Sequence, residues 1–102
     1  MLELRPNCEL CDKDLPADST EACICTYECT FCRDCVESVL LNVCPNCGGG
    51  FCARPIRPRE ARREGVSLSH QPATVERTLT RFTRDEIEEF AAGIQHIPAA
   101  NR

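Results

Sequence analysis

The sequence predicts a small α+β domain that is held together by bound metal, and three observations support this fold class. The chain has 102 residues with one Tyr, four Phe and no Trp, so an apolar core alone can supply little stability. Ten cysteines are available to cross-link it. Eight of them have the spacing of metal ligands, and the short apolar segments between them indicate a hairpin and one helix.

The other way to cross-link so many cysteines is a disulfide framework, and the expected location of the protein argues against it. The first residues, MLELRPNCEL, lack the basic and apolar regions of a secretory signal, and no apolar run is long enough to cross a bilayer. We therefore expect a cytoplasmic protein without membrane contact. Thiols stay reduced in the cytosol, so closely spaced cysteine pairs there indicate zinc more often than disulfides.

Charge divides the chain into three parts. Residues 1–52 carry three basic side chains against nine acidic ones, a formal charge of −6. Residues 53–65 carry five Arg against two Glu, a formal charge of +3, and residues 66–102 have a formal charge of −1. Eight thiolates binding two Zn²⁺ add a further −4 to the first part. Such an acidic surface is unsuited to a phosphate backbone, so we do not expect nucleic acid to bind there.

The first predicted element is a metal knuckle at Cys8 and Cys11. Two thiolates separated by two residues can bind one ion, because the tight loop between them directs both sulfurs at the metal. The polar segment 12–20, DKDLPADST, is predicted to form a surface loop. The segment 21–27, EACICTY, is one arm of a short hairpin that carries Cys25 to a second metal.

A helix and a last knuckle complete this half of the chain. Apolar side chains of the predicted helix 33–41 lie at helical spacing on one face, and Asn42 ends it. The partial positive charge at the N-terminus of this helix stabilises the negatively charged thiolates nearby. The knuckle is Cys44-Pro45-Asn46-Cys47, and the glycines 48–50 that follow permit a tight exit. Phe51 and Cys52 close the module.

The cysteine-rich half resembles a RING finger. The segment 28–36, ECTFCRDCV, is similar to the RING motif x-H-x-F-C-x-x-C-I, with Cys29 in place of the usual His. The sequences CELC at 8–11 and CPNC at 44–47 are similar to the opening C-x-I/L-C and the closing C-P-x-C of that family. The same half also resembles a small bacterial family of domain-of-unknown-function proteins, from LELRPNCE through ECTFCRDCV to CPNCGG.

The RING resemblance implies a cross-brace of the treble-clef type with two four-cysteine zinc sites. One zinc ion is assigned to Cys8, Cys11, Cys32 and Cys35, and the other to Cys25, Cys29, Cys44 and Cys47. Spacing alone does not distinguish this assignment from consecutive pairing. Both sites would be closed, tetrahedral and therefore structural. The full fold class is a metal-stapled α+β domain with a short hairpin and one helix, plus a C-terminal amphipathic helix.

The best-known activity of RING domains is ubiquitin ligation by recruitment of a ubiquitin-conjugating enzyme. The resemblance implies a docking surface on Leu10, on Val39 or Leu40, and on Pro45. Gly48 stands where the family usually has a basic residue after the last ligand. Leu10 and Pro45 can equally serve to complete the metal loops. A ligase-like recruiter is therefore kept as an alternative function.

Two cysteines fall outside the eight-ligand scheme. Cys23 can replace Cys25 as a ligand, although Cys25 keeps the family spacing to Cys29. Cys52 is a buried apolar side chain, an exposed thiol or a partner for Cys23. We expect free thiols at both positions. A redox C-x-x-C is not expected, because the βαβ context that accompanies such motifs is missing.

Composition changes abruptly after residue 52. The segment 53–65, ARPIRPREARREG, alternates Arg with Pro and has no apolar periodicity, so we expect an extended, solvated linker. Its arginines can contact phosphates, which keeps a nucleic-acid-binding zinc protein as a second alternative, but no aromatic residues are interleaved for stacking. Residues 66–80 are weakly patterned and are expected to be loosely ordered.

The last predicted element is an amphipathic helix. Thr83 and Glu86 form a capping box at its start, with Phe82 as the hydrophobic staple. One apolar stripe follows at i, i+3, i+4 and i+7, formed by Ile87, Phe90, Ala91 and Ile94. Pro98 ends the helix near His96 or Ile97. We expect the stripe to pack on the zinc module or on a second copy, and recruitment of another protein is the functional variant.

These elements predict four regions and a non-enzymatic role. The regions are a zinc module at 1–52, a linker and loosely ordered segment at 53–80, the helix at 81–97 and a tail at 98–102. No nucleophile–base pair, H-E-x-x-H motif or phosphate-binding loop is present. His70 and His96 lie far from the cysteine pairs, and we expect them in solvent. We therefore predict a zinc-binding protein-interaction module that binds an unidentified protein or associates with itself through the C-terminal helix.

Overall fold

A computed structural model describes residues 1–102, and its regular secondary structure is sparse. The elements in chain order are β1 (Ala22–Ile24), β2 (Thr30–Cys32), α1 (Arg33–Cys35), a π-helical segment (Val36–Leu40), β3 (Cys52–Ala53) and α2 (Arg84–Ile94). A single 3₁₀ turn follows at Ala99–Asn101. The predicted class of a small α+β domain is confirmed.

The three strands form one small antiparallel sheet in the order β2-β1-β3. Cys23 in the central strand lies opposite Phe31 of β2, and Ile24 lies opposite Cys52 of β3. The predicted hairpin is therefore present as β1 and β2. The third strand was not predicted, because two residues are too few to produce an alternating pattern in the sequence.

The predicted helix 33–41 is present as α1 and the π-helical segment, which are continuous. Val36 and Leu40 are buried, so the expected apolar face points inward. Leu41 and Asn42 adopt left-handed backbone conformations with φ of 51° and 60°. Asn tolerates this conformation better than most residues, and the helix ends there as the sequence predicts.

Cysteine side chains make up about half of the main buried cluster. Of the 13 residues in the main buried cluster, seven are cysteines, and the others include Leu15, Leu40 and Ile87. Phe31 lies fully buried among them, and its ring meets that of Phe51 edge to face with centroids 5.5 Å apart. So few large apolar side chains supply little burial free energy, which leaves the cysteines as the main structural resource.

Helix α2 packs its apolar stripe on the cysteine-rich half. The capping box is present, since the Thr83 hydroxyl accepts from the Glu86 N–H and the Glu86 carboxylate accepts from the Thr83 N–H. Ile87 is 1% exposed and belongs to the main buried cluster, and α2 lies against the π-helical segment. The helix ends at Ile94, earlier than predicted, and a turn covers the residues before Pro98. Proline disfavours helical backbone in the residue before it.

The segment after β3 contacts the N-terminal residues along much of its length. Arg54 is only 4% exposed, and its guanidinium donates to the carbonyl oxygens of Arg5, Leu15 and Pro16 at 2.8, 3.2 and 2.9 Å. Arg57 donates to the carbonyl oxygens of Leu2 and Gln71 at 2.7 and 2.6 Å. We expected a solvated linker in this part of the chain. Two of its arginines instead bind carbonyl oxygens, several of them in N-terminal residues that have no sheet partners. The boundaries of the four regions predicted from the sequence, after residues 52, 80 and 97, stay predictions.

Further along, residues 74–80 run beside the first knuckle. The N–H groups of Thr74 and Thr80 donate to the carbonyl oxygens of Leu4 and Glu9 at 3.1 and 2.7 Å. Arg77 forms charged hydrogen bonds with Asp12 and Asp14 at 2.8 and 2.7 Å. The segment thus covers one side of the first knuckle although it has no helix or strand.

The buried Arg54 side chain provides a test of these contacts. Arg54→Met keeps the aliphatic stem but removes the guanidinium donors from the carbonyl oxygens of Arg5 and Leu15, and one of the two donors from that of Pro16, so we expect the free energy of unfolding to fall by ~2–3 kcal/mol. Arg62→Met is the matched control, because the Arg62 side chain is 80% exposed, and it should change stability by less than ~0.5 kcal/mol. Denaturant unfolding at saturating zinc measures both. Equal losses in the two variants would contradict the structural role of Arg54.

Candidate metal centre

The first candidate centre is a cluster of four cysteines. The Sγ atoms of Cys8, Cys11, Cys32 and Cys35 all lie within 4.8 Å of one another. The first pair belongs to the N-terminal loop, where the Asp12 N–H donates to the Cys8 carbonyl at 2.9 Å and closes the turn. The second pair lies at the end of β2 and in α1. The direct passage from strand to helix brings its two sulfurs to one side.

The spacing of these sulfurs fits a tetrahedral zinc ion. Zn–S bonds of about 2.3 Å in a tetrahedron place neighbouring sulfurs roughly 3.8 Å apart. The Sγ atoms of Cys11 and Cys32 are 3.8 Å apart. Three of the four cysteines are buried and only Cys11 is exposed, which is a suitable environment for a closed structural site.

The second candidate centre contains three cysteines within the same limit. The Sγ atoms of Cys25, Cys44 and Cys47 lie within 4.8 Å of one another. Cys29, the fourth residue of the predicted set, is buried but lies outside this group. Its Sγ accepts a hydrogen bond from the Asn46 amide at 3.3 Å. The two centres thus alternate along the chain, since the first draws on residues 8–11 and 32–35 and the second on 25 and 44–47.

Backbone N–H groups point at the sulfurs in a repeated pattern. The N–H groups of Tyr27 and Gly49 donate to the Sγ atoms of Cys25 and Cys47 at 3.3 and 3.4 Å. The N–H of Lys13 likewise contacts the Sγ of Cys11. In each case the donor is two residues beyond the cysteine. Such bonds stabilise a thiolate and orient it, as partners around a metal site do.

Burial opposes charge on most of these thiols. It raises the pKa of Cys35 and Cys44 far above the ordinary thiol value, and it also raises the pKa of Cys29 and Cys32. For Cys11 burial acts in the same direction, but hydrogen bonds from the Lys13 backbone and neighbouring thiols outweigh it and lower the pKa. A cation is the group that can compensate several thiolates placed this close together.

A buried ion pair joins the first centre to the sheet. Glu9 lies between the two cysteines of the first knuckle and is almost completely buried. Its carboxylate accepts from Arg5 at 2.9 Å and from the Thr30 N–H, and its own N–H donates to the Thr30 carbonyl at 2.9 Å. The knuckle is therefore fixed to β2, which carries Cys32. Sequence reasoning missed this pair, because a glutamate inside a C-x-x-C loop gives no sign of burial.

The chain matches the family described as Protein of unknown function (DUF1272) over residues 1–57. It belongs to the DUF1272 family. A protein of Rhizobium meliloti (strain 1021), described as uncharacterized, is 53% identical over 79 residues, which are 78% of this chain and 87% of that protein. No solved structure matches the chain.

The DUF1272 match contains all ten cysteines and therefore both candidate centres. It ends before α2 begins, so the helix that packs on the centres lies outside the matched region. The resemblance to a bacterial family of unknown function is thus confirmed. The chain has no helix that is both long and apolar enough to span a membrane.

The two cysteines outside the predicted scheme lie in different environments in the DUF1272 chain. Cys23 is buried and Cys52 is exposed, and both are free thiols. Cys23 lies opposite Ala53 and Cys52 lies opposite Ile24, which places the two side chains on different faces of the sheet. Cys25, and not Cys23, belongs to the second cluster.

One polar contact was not anticipated from the sequence. The Ser67 hydroxyl lies 2.8 Å from His70 Nδ1 and 2.8 Å from the Ser69 hydroxyl. Ser67 is completely buried, so a substrate has no access to its oxygen in this conformation. The contact fastens a turn whose backbone bonds also begin at Ser67. His70 and His96 are both exposed, and neither belongs to a metal-ligand cluster.

The position of Cys29 generates a prediction about the second centre. Its buried thiol adjoins those of Cys25 and Cys44, so a small movement can bring it to the metal. We expect Cys29→Ser to weaken metal binding at that centre by more than the ~10–100-fold typical of losing an outer-shell partner. Competition with a chromophoric chelator measures this affinity. Cys23→Ser, which removes a buried thiol outside both clusters, is the control, and unchanged affinity in Cys29→Ser would show that three thiolates suffice.

Proposed function

We propose that this DUF1272 protein is a non-enzymatic protein-interaction module whose two cysteine clusters bind structural zinc ions in a RING-like cross-brace. The alternation of the two clusters along the chain is the observation that carries this proposal. Each ion would connect segments that are distant in sequence, and the two ions together would enclose β1, β2 and α1. A small chain can present a rigid surface by this means without a large core.

The donor set supports zinc over magnesium or calcium. Soft thiolate ligands in a tetrahedral arrangement select zinc or iron–sulfur clusters, whereas magnesium and calcium require oxygen ligands. With four cysteines at each ion no position remains for water, so the ions would be structural. Structural zinc in small domains contributes an apparent ~10–16 kcal/mol per site to folding at neutral pH. The metals would therefore decide whether the chain folds.

Charge and contacts give less support to nucleic acid as the partner. Two zinc ions bound by eight thiolates would change the formal charge of the chain from −4 to about −8. Two of the five linker arginines, Arg54 and Arg57, are engaged with backbone carbonyl oxygens. Two of the remaining three have acidic neighbours, since Arg59 and Arg62 lie 3.9 and 3.6 Å from Asp18 and Glu60. Protein partners therefore suit this surface better.

The ligase alternative also receives less support from the packing. The RING resemblance implies a docking surface for a conjugating enzyme, and two of its residues, Leu40 and Pro45, are buried. Helix α2 lies against the same side, with Phe82 and Ile87 beside Pro45. A conjugating enzyme would have to compete with α2 for this surface. Gly48, where the family usually has a basic residue, has φ of 78°, which suits glycine.

Metal content is the first test of the proposed function. We expect two zinc ions per reduced chain by elemental analysis, and loss of cooperative unfolding after exhaustive chelation, with recovery when zinc is returned. The reason is that six of the 13 residues in the main buried cluster are predicted metal ligands. A chain that is isolated without zinc, or that keeps its cooperative transition after chelation, would disprove the proposal.

The interaction role is tested separately with the zinc-loaded chain. We expect specific retention of a protein, either another protein or a second copy, and its loss after chelation. The ligase alternative predicts discharge of ubiquitin from a conjugating enzyme, lost in Leu10→Ala, and the nucleic-acid alternative predicts salt-sensitive retention of DNA or RNA. We expect neither activity. Discharge or retention at wild-type zinc content would replace the proposed function by the corresponding alternative.

A further inference from the structure

An open groove lies between the last cysteine knuckle and α2. Its volume is about 440 Å³, and it is lined by Pro45, Phe82, Glu86, Ile87, Glu89 and Phe90. Apolar side chains from both elements form its floor, and Phe90 is 41% exposed there. Two carboxylates stand at its rim. We name this feature the acidic groove.

The walls of the acidic groove are fixed by packing. Ile87 is buried in the main cluster, and the Arg81 guanidinium lies 5.0 Å from the centre of the Phe82 ring. The Phe90 ring lies 3.7 Å from the place where a side chain at Gly48 would begin, so α2 lies close to the backbone of the knuckle. A ligand therefore meets a preformed surface, which lowers the entropy lost on binding.

Neither carboxylate at the rim of the groove forms a salt bridge within the chain, although the Arg81 guanidinium lies over the Phe82 ring that lines the same groove. Glu89 forms no salt bridge and no side-chain hydrogen bond within the chain. Glu86 accepts from the N–H of Thr83, and its hydrogen bonds with Thr83 lower the pKa of its carboxyl group and keep it ionised. Apolar walls below two carboxylates suit an apolar side chain with an Arg or Lys close by.

The same chain displays a segment with these properties. Residues 56–63 run IRPREARR, and we name them the basic segment. Ile56 is 52% exposed, and the Arg59 side chain is 83% exposed. The only ion pairs of Arg59 and Arg62 are long surface contacts, which contribute little and leave both side chains free to rearrange.

The basic segment is held in place and cannot be regarded as a loose tether. Arg57 attaches it to Leu2 and Gln71, and Arg54, just before the segment, binds the Arg5 carbonyl oxygen. Pro55 and Pro58 restrict the backbone on either side of Ile56. No residue of the segment lines the acidic groove of its own chain. The two surfaces are thus separate on one molecule and complementary between two molecules.

We propose that the acidic groove of one copy binds the basic segment of a second copy, with Ile56 on the apolar floor and Arg59 facing Glu89. This inference rests on the proposed function, since it names the partner of the zinc-bound module. The acidic rim disfavours a phosphate backbone, and the chain supplies both the apolar and the basic groups that the groove requires. The contact is small, and the whole chain is negatively charged, so the association is weak and depends on salt.

Sedimentation velocity of the zinc-loaded full chain tests the proposal. We expect the average sedimentation coefficient to rise with protein concentration at low salt, and this rise to disappear in 1 M salt because the Debye length there is only about 3 Å. Glu89→Arg and Arg59→Glu should each raise the dissociation constant by about tenfold or more. The double variant should recover association, because the exchanged charges again attract each other.

Glu88→Arg is the matched control. It makes the same change of charge one position away on α2, and Glu88 does not line the groove. We expect it to associate like the wild type. Equal loss in Glu88→Arg and Glu89→Arg, or failure of the double variant to recover, would overturn the proposal by showing a general effect of charge.

A monomer at every concentration would also overturn the inference, and it would do so independently of the proposed function. Zinc content and chelation of the same samples report whether the module itself is correctly assigned. If the zinc-loaded chain is monomeric but binds polylysine, and Glu89→Arg abolishes this binding, the occupant of the groove is a different basic protein and the second copy is rejected. Circular dichroism of each variant confirms that the exposed substitutions leave the fold intact.

Discussion

The packing of cysteine side chains against one another is the constraint on which the rest of this structure depends. The three strands have three, three and two residues, and none of them is long enough to be stable alone. Cysteines occupy most of the buried cluster that joins these strands to α1. Two groups of these cysteines are placed so that they could hold metal ions, and bound ions would add to the stability of the short strands.

Arginine side chains form a second set of connections where backbone pairing is missing. Arg54 and Arg57 join the segment after β3 to the N-terminus, and Arg102 donates to the carbonyl oxygens of Asn42 and Gly48 at 2.7 and 3.2 Å. A guanidinium has several donors and can satisfy carbonyls from different loops at once. Carbonyl oxygens in loops without regular structure thus obtain hydrogen-bond partners from these arginines.

Helix α2 determines which surfaces remain available for binding. By burying Ile87 and Ala91 it covers the apolar side of the cysteine-rich half, and it forms the acidic groove at its own edge. The module would therefore meet partners through groups that α2 contributes, rather than through the knuckles alone. The same packing relates the structural and interaction parts of the proposed function, since α2 packs on the cysteine-rich half of the chain.

Local patterns let the sequence alone determine the cysteine pairs, the hairpin, the helix after it and the capped C-terminal helix, because each depends on spacing over a few residues. Spacing identified eight candidate ligands, and the structure gathers seven of them into two clusters and leaves Cys29 beside the second. Only the tertiary structure decided the burial of Arg54, the ion pair of Glu9 and the acidic groove. Their partners are far apart in sequence, as Arg54 and Arg5 are 49 residues apart, and no local pattern records a contact made by folding.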